Sequence, residues 1–274
     1  MPEHCTYGDT LLKIDHISLS YGDKVILRDV NTEIRDIKRE GRTQGQVVGF
    51  LGPSGIGKTQ LFRIIAGLNH PTSGRVLVGS AMTPVKAGMV GVVSQSYPLF
   101  ENRSIFSNLL LAAKQMNHSS DAAHEKVMTY LKRLEMLDQA QLYPAQISGG
   151  QRQRIAIAQQ LLCSEHFLLM DEPFSGLDVV MEAKVCELIN EIACLDDLNT
   201  IIVVTHDVTA AATVADHLWL MGRDRDTAGN VIPGARIQET YDLIEKDLCW
   251  HPEITNSPKF LDFVREVKEQ FRTL

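Results

Sequence analysis

Apolar residues recur along this chain in two rhythms. From residue 11 to 34 they alternate with polar ones on either side of Tyr21-Gly22-Asp23, the period-two pattern of an antiparallel hairpin with one buried face. Short apolar runs follow at Gln46–Leu51, Gly88–Val93, His166–Met170 and Ile201–Val204, and these read as buried strands of a parallel sheet. Helical spacing takes over in Gln60–Leu68, throughout 101–163 (Asp121–Leu134 included), and in Pro258–Phe271. The pattern predicts one α/β domain over 1–274. A core of 11–100 and 164–222 would be capped by the hairpin, interrupted by a helical segment at 101–163, and extended by a strand pair and helix at 223–274. The charged stretch Asp36–Gln44 reads as a turn-like insertion between two strands.

Composition narrows the picture. A chain of 274 residues, 44% of them hydrophobic, can bury one large core or two coupled subdomains. Its net charge of −7 and lack of a long basic run argue against a nucleic-acid partner. The five cysteines include no C-x-x-C pair, which suits a reducing compartment. The first residues have no apolar signal core, and no run of about 18 apolar residues could span a bilayer.

The chemistry enters at Gly52-Pro53-Ser54-Gly55-Ile56-Gly57-Lys58-Thr59, which fits the phosphate-binding pattern G-x-x-x-x-G-K-[ST] between a strand and a helix. Glycines let successive backbone N–H groups turn toward phosphate oxygens, and the helix N-terminus adds its positive dipole end. Lys58 would reach the β- and γ-phosphates of a nucleoside triphosphate, and Thr59 would place its hydroxyl on Mg²⁺. Downstream, Asp171 and Glu172 end a buried strand, where ligands bind in open α/β sheets. Such a pair can divide its work, one carboxylate neutralised by a metal and its neighbour free to take a proton.

Between these two motifs lies Ile147-Ser148-Gly149-Gly150-Gln151 at the head of a helical stretch. With it the chain resembles the ATP-binding cassette family, whose signature is L-S-G-G-Q; Ile147 stands in place of the leucine. The resemblance covers about residues 11–222 and implies a P-loop NTPase with a RecA-like mixed sheet, an antiparallel β hairpin and an inserted helical subdomain. It further implies ATP hydrolysis with Mg²⁺ by a dimer, in which Ser148, Gly149, Gly150 and Gln151 would meet the γ-phosphate on a second ATPase subunit. Asp171 would hold Mg²⁺, Glu172 would be the general base, and His206 would bind the γ-phosphate and align Glu172 with water. Gln95 resembles the loop glutamine that touches Mg²⁺ or the lytic water, Asp178 the residue that organises the opposing site, and Tyr21 the aromatic that stacks on adenine.

Two further positions depart from the family pattern. Gln60 replaces a hydroxyl residue that assists the α-phosphate, and Gln160 stands where an arginine is common. The family implies a peripheral motor on the cytoplasmic face of the membrane, beneath a separate permease. The stretch Gln95–Asn108 looks most like nitrate, sulfonate and taurine importers, which would draw solute from a periplasmic binding protein through the permease. Exporters, lipid-trafficking motors and the soluble cassette ATPases of DNA repair or translation are the alternatives. Tyr97, Leu99 and Phe100 are the candidate permease contact.

Overall fold

The computed structural model describes residues 5–39, 44–94, 96–116, 119–164, 166–250, 254–272 and 274. In chain order the elements begin with β1 (Cys5–Tyr21), β2 (Lys24–Arg39), β3 (Gln46–Leu51), α1 (Lys58–Ile65), β4 (Ser73–Val78), β5 (Thr83–Pro84) and β6 (Gly91–Val93). Three helices follow: α2 (Ile105–Gln115), α3 (Ser120–Arg133) and α4 (Gly149–Cys163). The chain then runs through β7 (Phe167–Asp171), α5 (Val179–Ala193), β8 (Thr200–Thr205), α6 (Val208–Val214), β9 (His217–Gly222), β10 (Arg236–Asp242) and α7 (Pro258–Phe271).

The alternating segment is the expected hairpin, but it is longer than 11–34. Leu12, Ile14, Ile17 and Leu19 face Leu27, Val30 and Ile34 in a buried layer beside α1 and β3. The expected insertion is in part strand: Cys5, Thr6 and Tyr7 pair with Arg39, Lys38 and Ile37. A register shift between Tyr7 and Thr10 accompanies this, and Ile37 and Arg39 are both buried. Burial of Arg39 is tolerated because its guanidinium pairs with the fully buried Asp216 and donates to the Gly45 carbonyl at 2.8 Å. Residues 40–43 lie outside the described residues.

Two sheets result. One is antiparallel, in the order β2-β1-β4-β5, and the other runs β10-β9-β3-β8-β7-β6, parallel except for β10. The parallel register brings the motifs together. Leu51 of β3 pairs with Thr205 of β8, and Asp171 of β7 pairs with Val204, so three strands end level with one another. Whatever follows those ends shares one crevice. That is why segments far apart in sequence form one site.

Helices α2, α3 and α4 bury Leu109, Val127, Leu131, Ile155 and Ala158 in a cluster of their own. The predicted strand Gly88–Val93 shortens to β6, because Gly88 takes a φ of 94° and the chain turns before the sheet is reached. Gln160 accepts the Val92 N–H at 3.1 Å, tying α4 to that edge strand. At the other edge, Phe260, Phe263, Val264 and Val267 of α7 pack with Val208, Ala211 and Ala212 of α6 and with Leu218 and Leu220 of β9.

Candidate functional site

The turn from β3 into α1 is built around its glycines. Gly55 and Gly57 have φ of 76° and 120°, a region costly for any side chain, and a methyl on Gly57 would sit 3.1 Å from Leu27. Pro53, Ser54 and Thr59 are at least partly solvent-accessible, while Gly52 and Ile56 are buried beneath them. Lys58 lies within the loop, its Nζ donating to the carbonyls of Gly52 at 2.7 Å and Pro53 at 3.2 Å. Burial pushes its pKa down, against the pull of Glu172 and Asp171. An ammonium held in this way gains when an anion approaches.

Across the crevice, Glu172 Oε1 lies 3.8 Å from Lys58 Nζ. Its Oε2 accepts from Thr205 Oγ1 at 3.1 Å and from His206 Nδ1 at 2.9 Å. In a neutral imidazole that contact fixes the proton on Nδ1 and leaves Nε2 as an acceptor. Glu172 has a φ of 49°, strained for a side-chain-bearing residue, and its N–H donates to the Val204 carbonyl at 2.8 Å. The chain therefore turns sharply at Glu172, giving it surroundings distinct from those of Asp171. Burial, with the neighbouring Glu172 adding to it, pushes the Asp171 pKa up. Both carboxylates border a cleft of about 650 Å³ with Ser94 and Ser96.

Tyr21 stands beside the loop. It is 53% exposed, leaving its ring free to stack, and its hydroxyl donates to Gln60 Oε1 at 3.0 Å. Asn69 Nδ2 reaches both, Tyr21 Oη at 3.1 Å and Gln60 Oε1 at 3.3 Å.

The signature residues form a capping box on α4. Ser148 Oγ accepts the Gln151 N–H at 3.3 Å, and Gln151 Oε1 accepts the Ser148 N–H at 2.9 Å. Gly149 and Gly150 are exposed, and a methyl on either would meet no atom within 4 Å among the described residues beyond its chain neighbours and its own helix backbone. Nothing inside the chain requires glycine at these positions. Asp178 caps α5 by accepting the Met181 N–H at 2.9 Å, beside the exposed Val179 and Val180. Among the described residues, no hydrogen bond or ion pair joins these two segments to the phosphate loop. Gln95 lies outside the described residues.

Two site residues escaped the sequence reading. Thr205 is fully buried and holds Glu172, yet in sequence it is only the last residue of an apolar strand. Asn69 reaches Tyr21 only because the turn after α1 folds back, with the N–H groups of Leu68 and Asn69 both donating to the Arg63 carbonyl. Neither carried a signal beyond its polarity.

A phosphate loop at the end of a central parallel strand, with two carboxylates at the end of the strand next but one, defines a P-loop nucleotide-binding ATPase fold. Residues 41–175 match the family model described as ABC transporter. The chain is 38% identical over 222 residues to the sulfate/thiosulfate import ATP-binding protein CysA of Bacillus cereus, covering 78% of this chain and 59% of that protein. It is 36% identical over 238 residues to the spermidine/putrescine import ATP-binding protein PotA of Haemophilus ducreyi, covering 85% and 60%. The structure of CbiO1 from Clostridium perfringens, part of the ABC transporter complex CbiONQ, superposes with a TM-score of 0.69 at 26% identity, covering 86% of this chain and 90% of that one. The chain carries an ABC transporter ATPase domain. It spans about three-fifths of the length of these two curated relatives.

Proposed function

We propose that this chain hydrolyses ATP as the motor of an import-type ABC transporter, paired with a second ATPase subunit on the cytoplasmic face of a membrane beneath a separate permease. One observation carries the hydrolytic reading: the Glu172 carboxylate is held by Thr205 and His206 beside the phosphate-loop lysine. A carboxylate fixed at the edge of a phosphate site can take the proton of an attacking water without first reorganising. His206 Nδ1–H and the Thr205 hydroxyl both donate to Oε2, which leaves Oε1 to accept. Lys58 and the backbone N–H groups of 52–59 would hold the β- and γ-phosphates, and the exposed Tyr21 ring would stack on adenine.

Mg²⁺ fits the donors present. Asp171 and Thr59 offer hard oxygen ligands, and a divalent cation beside two adjacent carboxylates would offset both the burial and the Glu172 repulsion that raise Asp171. Among the described residues, no three carboxylate, imidazole or thiol groups form a cage, which suits an ion bound through one or two protein oxygens, phosphate and water. When bound, it would neutralise phosphate charge during transfer.

The pairing reading rests on Gly149 and Gly150, which are open to approach from outside the chain, and on the exposed Leu177, Val179 and Val180 next to Asp178. Exposed aliphatic side chains of this size favour a partner surface. The permease reading rests on a groove of about 320 Å³ between the helical segment and the sheet, bordered by Leu68, Phe100, Leu111, Gln159 and Cys163. No helix among the described residues is long and apolar enough to cross a membrane. Import is favoured because the relatives cited are import ATP-binding proteins. The solute, and the periplasmic binding protein that would deliver it, belong to the permease side of such a system.

Glu172→Gln tests the reading. The amide keeps the shape and an acceptor oxygen but has little basicity, so phosphate release should fall by about 100-fold or more while ATP binding persists. In sedimentation, the variant with ATP should accumulate as a dimer. Turnover at the unsubstituted rate would remove Glu172 from its role.

A further inference from the structure

The Tyr21, Gln60 and Asn69 cluster does more than place an aromatic ring. The N–H of His70 is an unambiguous donor, and it meets Asn69 Oδ1 at 3.0 Å. That contact fixes the Asn69 amide with Nδ2 as the group reaching Tyr21 Oη and Gln60 Oε1. Gln60 Oε1 therefore takes two donors, the Asn69 amide and the Tyr21 hydroxyl. The Gln60 amide is thereby oriented, and its Nε2 is left as a double donor. Gln60 immediately follows Thr59 in the first turn of α1, where backbone N–H groups and the helix dipole favour an anion.

We infer that Gln60 is a positioning residue joining two parts of the nucleotide site: its Oε1, locked by Asn69, holds the Tyr21 ring in place for the base, and its Nε2 donates to a phosphate oxygen nearest the ribose. The inference rests on the proposed nucleotide function and adds to it a device specific to this sequence. A threonine or serine hydroxyl at position 60 would be too short to span from α1 to the tip of β1 while also meeting a phosphate. The glutamine does both, and Asn69 is the third point that makes its orientation unique. Base stacking and phosphate contact thus become coupled, so that disturbing the ring also loosens the phosphate donor.

The test is equilibrium titration of the full chain with a fluorescent ribose-labelled ATP, together with steady-state ATPase kinetics. Each of Tyr21→Phe and Asn69→Ala removes hydrogen bonds but no ring, and each should weaken binding about threefold to tenfold. The loss should fall on KM, with kcat within about twofold, because neither group is placed at the reacting phosphate. Combined, the two substitutions should cost no more than about twice the larger single effect, since both release the same amide. Gln60→Glu keeps the acceptor for Tyr21 and Asn69 but replaces the phosphate donor by a negative charge, and it should weaken binding by more than either. Tyr21 is exposed and Gln60 and Asn69 are partly so, so melting temperatures should stay close to that of the parent chain and show that the loss lies in the site.

Fully additive losses from Tyr21→Phe and Asn69→Ala, unchanged affinity in either, or equal kcat and KM effects would overturn the coupling. Gln60→Glu binding as tightly as the parent would overturn the phosphate contact. If the parent chain itself bound no ATP, the nucleotide reading would fall first, and that result differs from every one above.

Discussion

Glu172 illustrates how much a site residue depends on the groups that hold it. Its carboxylate is partly exposed, yet Oε2 is gripped by a buried hydroxyl and an imidazole. Thr205 Oγ1 has a second task, accepting the N–H of Asp207 at 3.1 Å at the start of α6. Thr205→Val keeps the shape but leaves that N–H without its partner and frees Oε2 to wander. We expect kcat to fall about tenfold with KM nearly unchanged, and stability to drop by about 1–2 kcal/mol, read by steady-state kinetics and thermal melting. Thr205→Ser should recover most of kcat. Equal rates in the valine variant would show that His206 alone aligns the carboxylate.

At the scale of elements, the loop between β6 and α2 shows an apolar run divided by packing. The sequence reading treated Tyr97, Leu99 and Phe100 together as the candidate permease contact. In the structure Tyr97 packs against the central core and its hydroxyl accepts from Gln153 Nε2 at 2.9 Å, while Leu99 packs on the cluster of α2, α3 and α4. Phe100 is 48% exposed, and its backbone N–H and carbonyl are both bound to the Asn108 side chain, at 2.8 and 3.2 Å. The segment is therefore pinned, with one large ring outside. Leu99→Ser should lower stability by about 1–3 kcal/mol through lost burial and an added polar group. Phe100→Ser should leave the melting temperature and the isolated ATPase rate near those of the parent chain, yet reduce co-purification with the proposed permease. Loss of stability in the Phe100 variant would return that side chain to the core.

Across the whole molecule, buried polar clusters tie distant parts of the chain together. Asp216 accepts from Arg39 of β2, from the Val47 N–H and from Trp250 Nε1, so the hairpin, the central strand and the segment before α7 meet at one carboxylate. A second cluster joins Tyr7, His217 and Asp242. Burial would raise Asp242, but hydrogen bonds from His217 and Tyr7 outweigh it and bring the pKa down from 3.8 to about 2. A carboxylate with a depressed folded-state pKa stabilises fully above its unfolded value, and the contribution is lost as pH falls through the folded one. Stability should therefore drop by on the order of 2 kcal/mol between about pH 4 and pH 2 through this group. Asp242→Asn should be less stable near neutrality and flatter across that window, as measured by denaturant titrations at each pH. Identical slopes in the two proteins would place the acid sensitivity elsewhere.

The sequence alone determined the local chemistry: a glycine-rich turn between strand and helix, carboxylates at the end of an apolar run, and a cap-and-glycine pair at the head of α4. These are short-range features, set by backbone freedom, strand burial and helix ends within a few residues. The strand cores were equally legible, because wholly apolar runs have few other places to go. Strand limits were not, since β2 continues through Arg39 only where Asp216, remote in sequence, is present to receive the charge. Only the tertiary structure decided which polar side chains meet. The parallel register of β3, β8 and β7 brings Lys58, Glu172, Thr205 and His206 together, and the fold-back after α1 delivers Asn69 to Tyr21 and Gln60. Those contacts span long stretches of chain, and their strength comes from alignment and burial that no local pattern encodes.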